Sequence, residues 1–201
     1  MKQIFLANQT LRIQRILKPQ GSKKNLIGMK KYGIRFNKAY GVKIPIIREL
    51  AKKFKPNHDL ALYLWDTKIH ELMLLAIFID DYRQVTEFQM NKWVRDFASW
   101  DICDQCCSNL FDKTPYAFDK IFEWSKSKDE FIKRAGFALI ATMAIHNKKL
   151  DHFLTFADNI KKRYLQDHKL TDTDKVILNE RAKDLHISDV IAKKIEYVSA
   201  I

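Results

Sequence analysis

Apolar residues recur at three- and four-residue intervals along nearly the whole chain, which is the period of helices burying one face and not of strands. Residues 1–18 predict a helix with Ile4, Leu11 and Ile16 available for burial. GSKKNLIG (21–28) reads as a loop, and residues 26–32 as a short helix ended by Gly33. Pro45 suits the first turn of a helix whose Ile46, Ile47, Leu50 and Ala51 share a face. Asn57 or Asp59 is positioned to cap LALYLWDT, and HELMLLAIFIDD follows from about residue 69. Thr86 opens TEFQMNKWVRDF, Ser99 caps WDICDQCCSNLF, Pro115 opens YAFDKIFEWS, and Lys128 or Asp129 starts EFIKRAGFALIATMAIH. Further helices are expected at 151–164, 173–185 and 188–200. No segment requires a strand, and only 5 Gly and 4 Pro are present, too few for the turns of an all-β protein. The expected fold is all-α.

The helices fall into pairs with short links, and one pair repeats another. Trp65, Glu71, Leu72, Met73, Ala76 and Phe78 match Trp124, Glu130, Phe131, Ile132, Ala135 and Phe137 at a constant offset of 59 residues. Between them lies another pair, carrying Trp93 and Trp100. Stacked helical pairs build a curved α-solenoid of the HEAT or armadillo kind with a concave face. An ordinary bundle whose tryptophans recur by chance is the alternative. Trp65 and Trp124 read as packing residues, and Trp93 as core in preference to a groove position. The whole of 1–201 is expected to form a single domain.

Charge adds direction. The net charge is +12, yet residues 1–55 alone hold 15 Lys/Arg against one acid, Glu49, for +14, and the remainder totals −2. A basic surface confined to one end attracts a polyanion such as nucleic acid, with affinity that falls as salt rises. A basic solubilising face and an anionic membrane surface are the competing explanations. The longest apolar stretch, AGFALIATMAI at 135–145, is too short to span a bilayer, and MKQIFLANQT carries no small-residue cleavage site. A soluble, cytoplasmic protein is expected, and with no dimer motif visible, a monomer.

The densest chemistry is SWDICDQCC at 99–107, which holds all three cysteines. Cys103 and Cys106 lack the second Cys pair a zinc site needs, and a redox pair would normally follow a strand. A disulfide between adjacent Cys106 and Cys107 would be strained. They therefore read as small residues packed inside a reduced helix, and no metal and no cofactor are expected. Trp100 and Asp104, four apart, share one helix face. Asp101 lies in the first turn, suited to capping or to the helix dipole. A half-buried carboxylate at Asp104 needs a cation or a function, and Arg134 in the next repeat is its natural partner. Spacing alone admits either an inter-repeat ion pair or an active site.

Four blocks, KKYGIRFNKAYGVKIPIIRELAKKF (30–54), LALYLWDTKIHELMLLAIFIDD (60–81), FASWDICDQCCSNLF (97–111) and EFIKRAGFALIATMAIH (130–146), resemble in order and spacing the DNA alkylation repair family of HEAT-like repeat glycosylases. The resemblance runs from about Met29 to about Arg163, leaving 1–28 as an N-terminal helix and loop and 164–201 as divergent C-terminal helices. It implies HEAT-like helix pairs around a basic concave groove for duplex DNA, and hydrolysis of the N-glycosidic bond of cationic N3- or N7-alkylated purines. It also implies Trp100 and Asp104 as the catalytic Trp and Asp, and Arg134 as the active-site Arg. Lys30, Lys31, Arg35, Lys38 and Lys43 would be backbone contacts, and Tyr32 and Tyr40 lie among them. His70 and Glu71, within a family block, suit helix packing or capping. Family members usually continue with a repeat of the type KKAxxWxLR. Here no Trp follows Trp124, and Tyr164, His168 or Tyr197 would have to substitute. The alternative function is a non-catalytic repeat module that binds branched or damaged DNA, or a protein.

Overall fold

A computed structural model describes residues 1–146 of the 201. The helices expected at 151–164, 173–185 and 188–200, with Tyr164, His168 and Tyr197, lie outside the described residues. Within them the chain forms nine α-helices and two 3-10 turns, with no strand. These are α1 Lys2–Leu17, α2 Lys23–Lys31, α3 Ile44–Ala51, α4 His58–Asp66, α5 His70–Ile79, α6 Glu87–Arg95, α7 Trp100–Asn109, α8 Ala117–Ser125 and α9 Glu130–His146. The compact unit that carries the features below spans Met1–Leu139. No helix of the described residues is long and apolar enough to cross a membrane.

The starts of the helices follow their sequence signals. Asn57 caps α4 by accepting from the Leu60 amide, and Thr86 caps α6 by accepting from Gln89 N–H. Asp129 does the same for α9 through the Phe131 and Ile132 amides. Pro45 occupies the first turn of α3, where its missing N–H costs nothing.

Two expectations fail at the N-terminus. The buried face of α1 is Leu6, Thr10, Ile13 and Leu17, whereas Ile4, Leu11 and Ile16 are exposed at 68%, 50% and 36%. Leu6, Thr10, Ile13 and Leu17 run along one helical stripe at steps of four, three and four, whereas Ile16 falls about 140° round the helix from Leu11, and it is the stripe that meets α4. The stretch expected to be a loop, 21–28, instead begins α2 at Lys23. Ser22 caps it by accepting from Asn25 N–H, a start signal masked by the two lysines and by Gly28.

The helices form two rows. In one, α3 packs on α5 and α5 on α7. In that row α9 lies against α7, where the Cys103 and Cys107 thiols donate to the Phe131 and Ala135 carbonyls. In the other row α1 packs on α4, and Trp65 of α4 stacks on Trp93 of α6 at 3.9 Å between ring centroids. Phe111 continues the aromatic chain to Trp124 of α8, and buried Lys120 of α8 reaches Glu87 of α6 while also pairing with Glu123 of its own helix. Trp65, Trp93 and Trp124 are all buried, as expected of packing residues. α5, enclosed by α3, α4 and α7, is apolar on every side, the pattern of a core helix.

The internal repeat is a structural one. Trp65 and Trp124 are each the penultimate residue of the first helix in a pair, and Ala76 and Ala135 are fully buried in the second. The match breaks at Glu71 and Glu130, the one buried and the other exposed. Gly136 permits a close approach of α9 to the end of α8, because a Cβ there would stand 2.7 Å from the Ser125 nitrogen.

Candidate nucleic-acid interface and active site

The three cysteines are free and fully buried, and burial pushes the thiols of Cys106 and Cys107 well above the ordinary value. They are packing residues. The polar chemistry of α7 lies beside them, where Asp104 meets Arg134 of the same α9.

Trp100, Asp104 and Arg134 come together. The Arg134 guanidinium grips the Asp104 carboxylate in bidentate fashion, Nε to Oδ1 at 2.8 Å and Nη2 to Oδ2 at 2.7 Å. Their side chains are 18% and 28% exposed, so the pair is reachable from solvent but shielded from most of it. Such a pair is stronger than a surface bridge and fixes the plane of the carboxylate. One turn earlier on the same face, Trp100 is 39% exposed, and its indole Nε1–H donates to the Tyr32 carbonyl at 3.0 Å. An exposed tryptophan is thus held by the basic N-terminal segment.

That segment, residues 32–43, is an irregular loop fastened to α5 and α7. The carboxylate of Glu71, fully buried, accepts from the amides of Tyr40 (2.9 Å), Gly41 (2.7 Å) and Val42 (3.2 Å). Lys38 pairs with Ile69 in an isolated parallel bridge, and the His70 amide donates to the Lys38 carbonyl. Gly41 adopts φ +78° and sits where a Cβ would meet the Ser22 carbonyl oxygen at 2.5 Å, so no other residue fits there. Lys30, Lys31, Arg35, Lys38 and Lys43 all remain exposed on or beside this loop. Arg35 and Lys30, with Gly33, Ile34 and Phe36, line a shallow depression of about 430 Å³.

Ser99 and Asp101 do not act as the sequence suggests. Ser99 makes no capping bond to its own helix. Its hydroxyl donates to Asp101 Oδ1 at 2.5 Å and accepts from the Arg35 amide at 3.3 Å. Asp101 is buried, and its other oxygen meets His70 Nε2 at 2.9 Å. Burial raises the Asp101 carboxyl, but the His70 hydrogen bond and charge, Ser99 and the Ile102 amide outweigh it and hold the group below the ordinary carboxylate range. A carboxyl depressed on folding contributes stability that is full above its unfolded value and is lost as pH falls through the folded one. We expect Asp101→Asn to lower the melting temperature at pH 7, and the gap to the parent protein to close as pH falls below about 4. Thermal melts across that range check it, and a gap independent of pH would refute the assignment.

The chemistry-bearing residues therefore form one connected unit: the basic loop, His70 and Glu71 of α5, Trp100 and Asp104 of α7, and Arg134 of α9. The sequence model of the DNA alkylation repair enzyme family matches residues 13–171. The chain belongs to this family. The matched region takes in α2 to α9 and extends beyond the described residues. Among solved structures the chain is similar to a member of a family of proteins related to the HEAT-like repeat DNA glycosylases with affinity for branched DNA structures. The two are 20% identical with a TM-score of 0.72, over 94% of this chain and 81% of the other, a likeness of fold. No curated protein matches the sequence. Membership fixes the architecture as all-α helical repeats and places the chain among DNA alkylation repair proteins.

Proposed function

We propose that this family member is a DNA glycosylase that hydrolyses the N-glycosidic bond of cationic N3- or N7-alkylated purines in duplex DNA. The observation that carries the reading is the meeting of Trp100, Asp104 and Arg134 beside an exposed basic loop. An alkylated purine already carries positive charge and leaves as a neutral base, so no general acid is required. Positive charge grows instead on the deoxyribose, and a fixed carboxylate is the group that stabilises it. Asp104 supplies that carboxylate and can orient or deprotonate the attacking water. The indole face of Trp100 favours the same cationic sugar. Arg134 holds Asp104 in plane without DNA, and its fork matches a backbone phosphate equally well. The reaction needs neither metal nor cofactor.

The exposed cations of the loop bind the DNA backbone in this reading. Reversing charge at Lys30, Lys31 and Arg35 together should weaken duplex binding and flatten its salt dependence by about three in slope. Fluorescence anisotropy at several salt concentrations measures both, and an unchanged slope would remove these residues from the interface.

A second reading has its own observation. Both oxygens of Asp104 are occupied by Arg134, as in a structural inter-repeat pair. If that pair never opens, the chain binds DNA without cutting it, and the affinity for branched DNA described for the similar protein becomes the relevant property. Release of 7-methylguanine or 3-methyladenine from methylated duplex DNA separates the two. Base release above background supports the glycosylase, and tight binding to a junction with no release supports the binder.

A further inference from the structure

Arg48 is held in a way that stability alone does not explain. It is exposed on α3, and its guanidinium lies over the Phe78 ring of α5 at 4.3 Å to the centroid. Two amide oxygens of α7 fix its orientation: Gln105 Oε1 accepts from Nη2 at 2.8 Å, and Asn109 Oδ1 accepts from Nη1 at 3.2 Å. The Asn109 Nδ2 group donates back to the Gln105 carbonyl at 2.8 Å, which fixes the side of that amide facing the arginine. Three helices of one row thus converge on one cation.

The partners are all uncharged. Among the described residues, Arg48 makes no ion pair with a carboxylate, whereas Arg83 and Arg134 both do. Two of its five N–H groups are engaged, leaving a fork of donors on a rigid, stacked plane. An arginine retained for packing gains most from a carboxylate. One preorganised by neutral amides on an aromatic ring keeps its charge for an anion that arrives from outside.

Its position says which anion. Gln105 directly follows Asp104, and Asn109 lies five residues beyond Asp104 on the same helix, a rise of about 7.5 Å. A polyanion held over Asp104 and Trp100 therefore passes within reach of this arginine. We propose that Arg48, seated on Phe78 by Gln105 and Asn109, is a preorganised binding site for one backbone phosphate of DNA. The site rests on the DNA-binding reading above and extends it from the basic loop to the α3–α5–α7 row, on the far side of Asp104 from the Tyr32–Trp100 contact along α7.

The test is a salt titration of duplex binding by fluorescence anisotropy, with thermal melts alongside. Arg48→Gln should fold as the parent does, weaken binding to any DNA sequence, and lower the slope of log affinity against log salt by about one. The double variant Gln105→Ala/Asn109→Ala keeps the charge and loosens its seat. It should weaken binding while leaving the slope intact, an outcome that a merely structural arginine would not give. Parental affinity and slope in folded Arg48→Gln would overturn the inference while leaving the DNA reading intact. Should Arg48→Gln fail to fold, parental affinity in the double variant would overturn it instead. If the parent protein itself binds no DNA at low salt, both readings fall.

Discussion

Asp104→Asn should abolish most base excision while leaving the protein folded and bound to DNA. In single-turnover release of 7-methylguanine from methylated duplex, the expected loss is about 10²–10³-fold, the cost of removing one group aimed at developing charge in a shielded site. Asn keeps the size and one oxygen to accept from Arg134, and the Arg134 guanidinium still reaches solvent, so the melting temperature should fall by a few degrees at most. DNA affinity should hold or rise, since a negative charge facing a polyanion is removed. This split between rate and affinity distinguishes the catalytic role from the structural one. A structural ion pair would show the reverse, with a lower melting temperature, weaker binding and no specific effect on rate. Equal activity in Asp104→Asn and the parent would end the assignment. Arg134→Gln sharpens it: if Arg134 both orients Asp104 and holds a phosphate, that variant loses rate and affinity together.

Much of this site is legible in the chain because its parts are local. Trp100 and Asp104 lie on one α7 face by helical period alone. The offset of 59 residues between Trp65 and Trp124 marks the repeats. That repetition brings the residue one pair further on, Arg134, to Asp104. The cysteines, read as packing residues, pack α7 on α9. What escapes the sequence is long-range. Ser99 looks like a cap because it precedes a helix, yet its hydroxyl serves Asp101 and the Arg35 amide, 64 residues away. Arg48 looks like any surface cation until α5 and α7 bring Phe78, Gln105 and Asn109 beneath it. The buried face of α1 is a different case: Leu6, Ile13 and Leu17 keep one helical stripe that the chain does carry, and the polar Thr10 within it obscures it. A signal for Glu71 does exist: an acid in the first turn of a helix apolar all round has to find buried donors.

Glu71→Ala should be the most destabilising of these substitutions, and it should weaken DNA binding from a residue that no DNA can touch. Glu71 is fully buried and satisfies three backbone amides of the loop at 40–42. Removing it orphans donors that cost about 1–3 kcal/mol each when buried, offset in part as the loop opens to water. A net loss of about 3–5 kcal/mol follows, or roughly 10 °C in melting temperature for a chain of this size. Glu71→Gln, which keeps the shape but brings an NH₂ group towards donors, should fall between. The loop carries Lys38 and leads into Lys43, and its start holds Trp100 through the Tyr32 carbonyl. Loosening it therefore scatters cations that are fixed in the parent and frees the indole. Measured at a temperature where the variant is still folded, affinity should drop while the number of charges, and with it the salt slope, stays nearly the same. Parental DNA affinity in folded Glu71→Gln would show that the basic loop binds as a flexible arm, with no need of the scaffold beneath it.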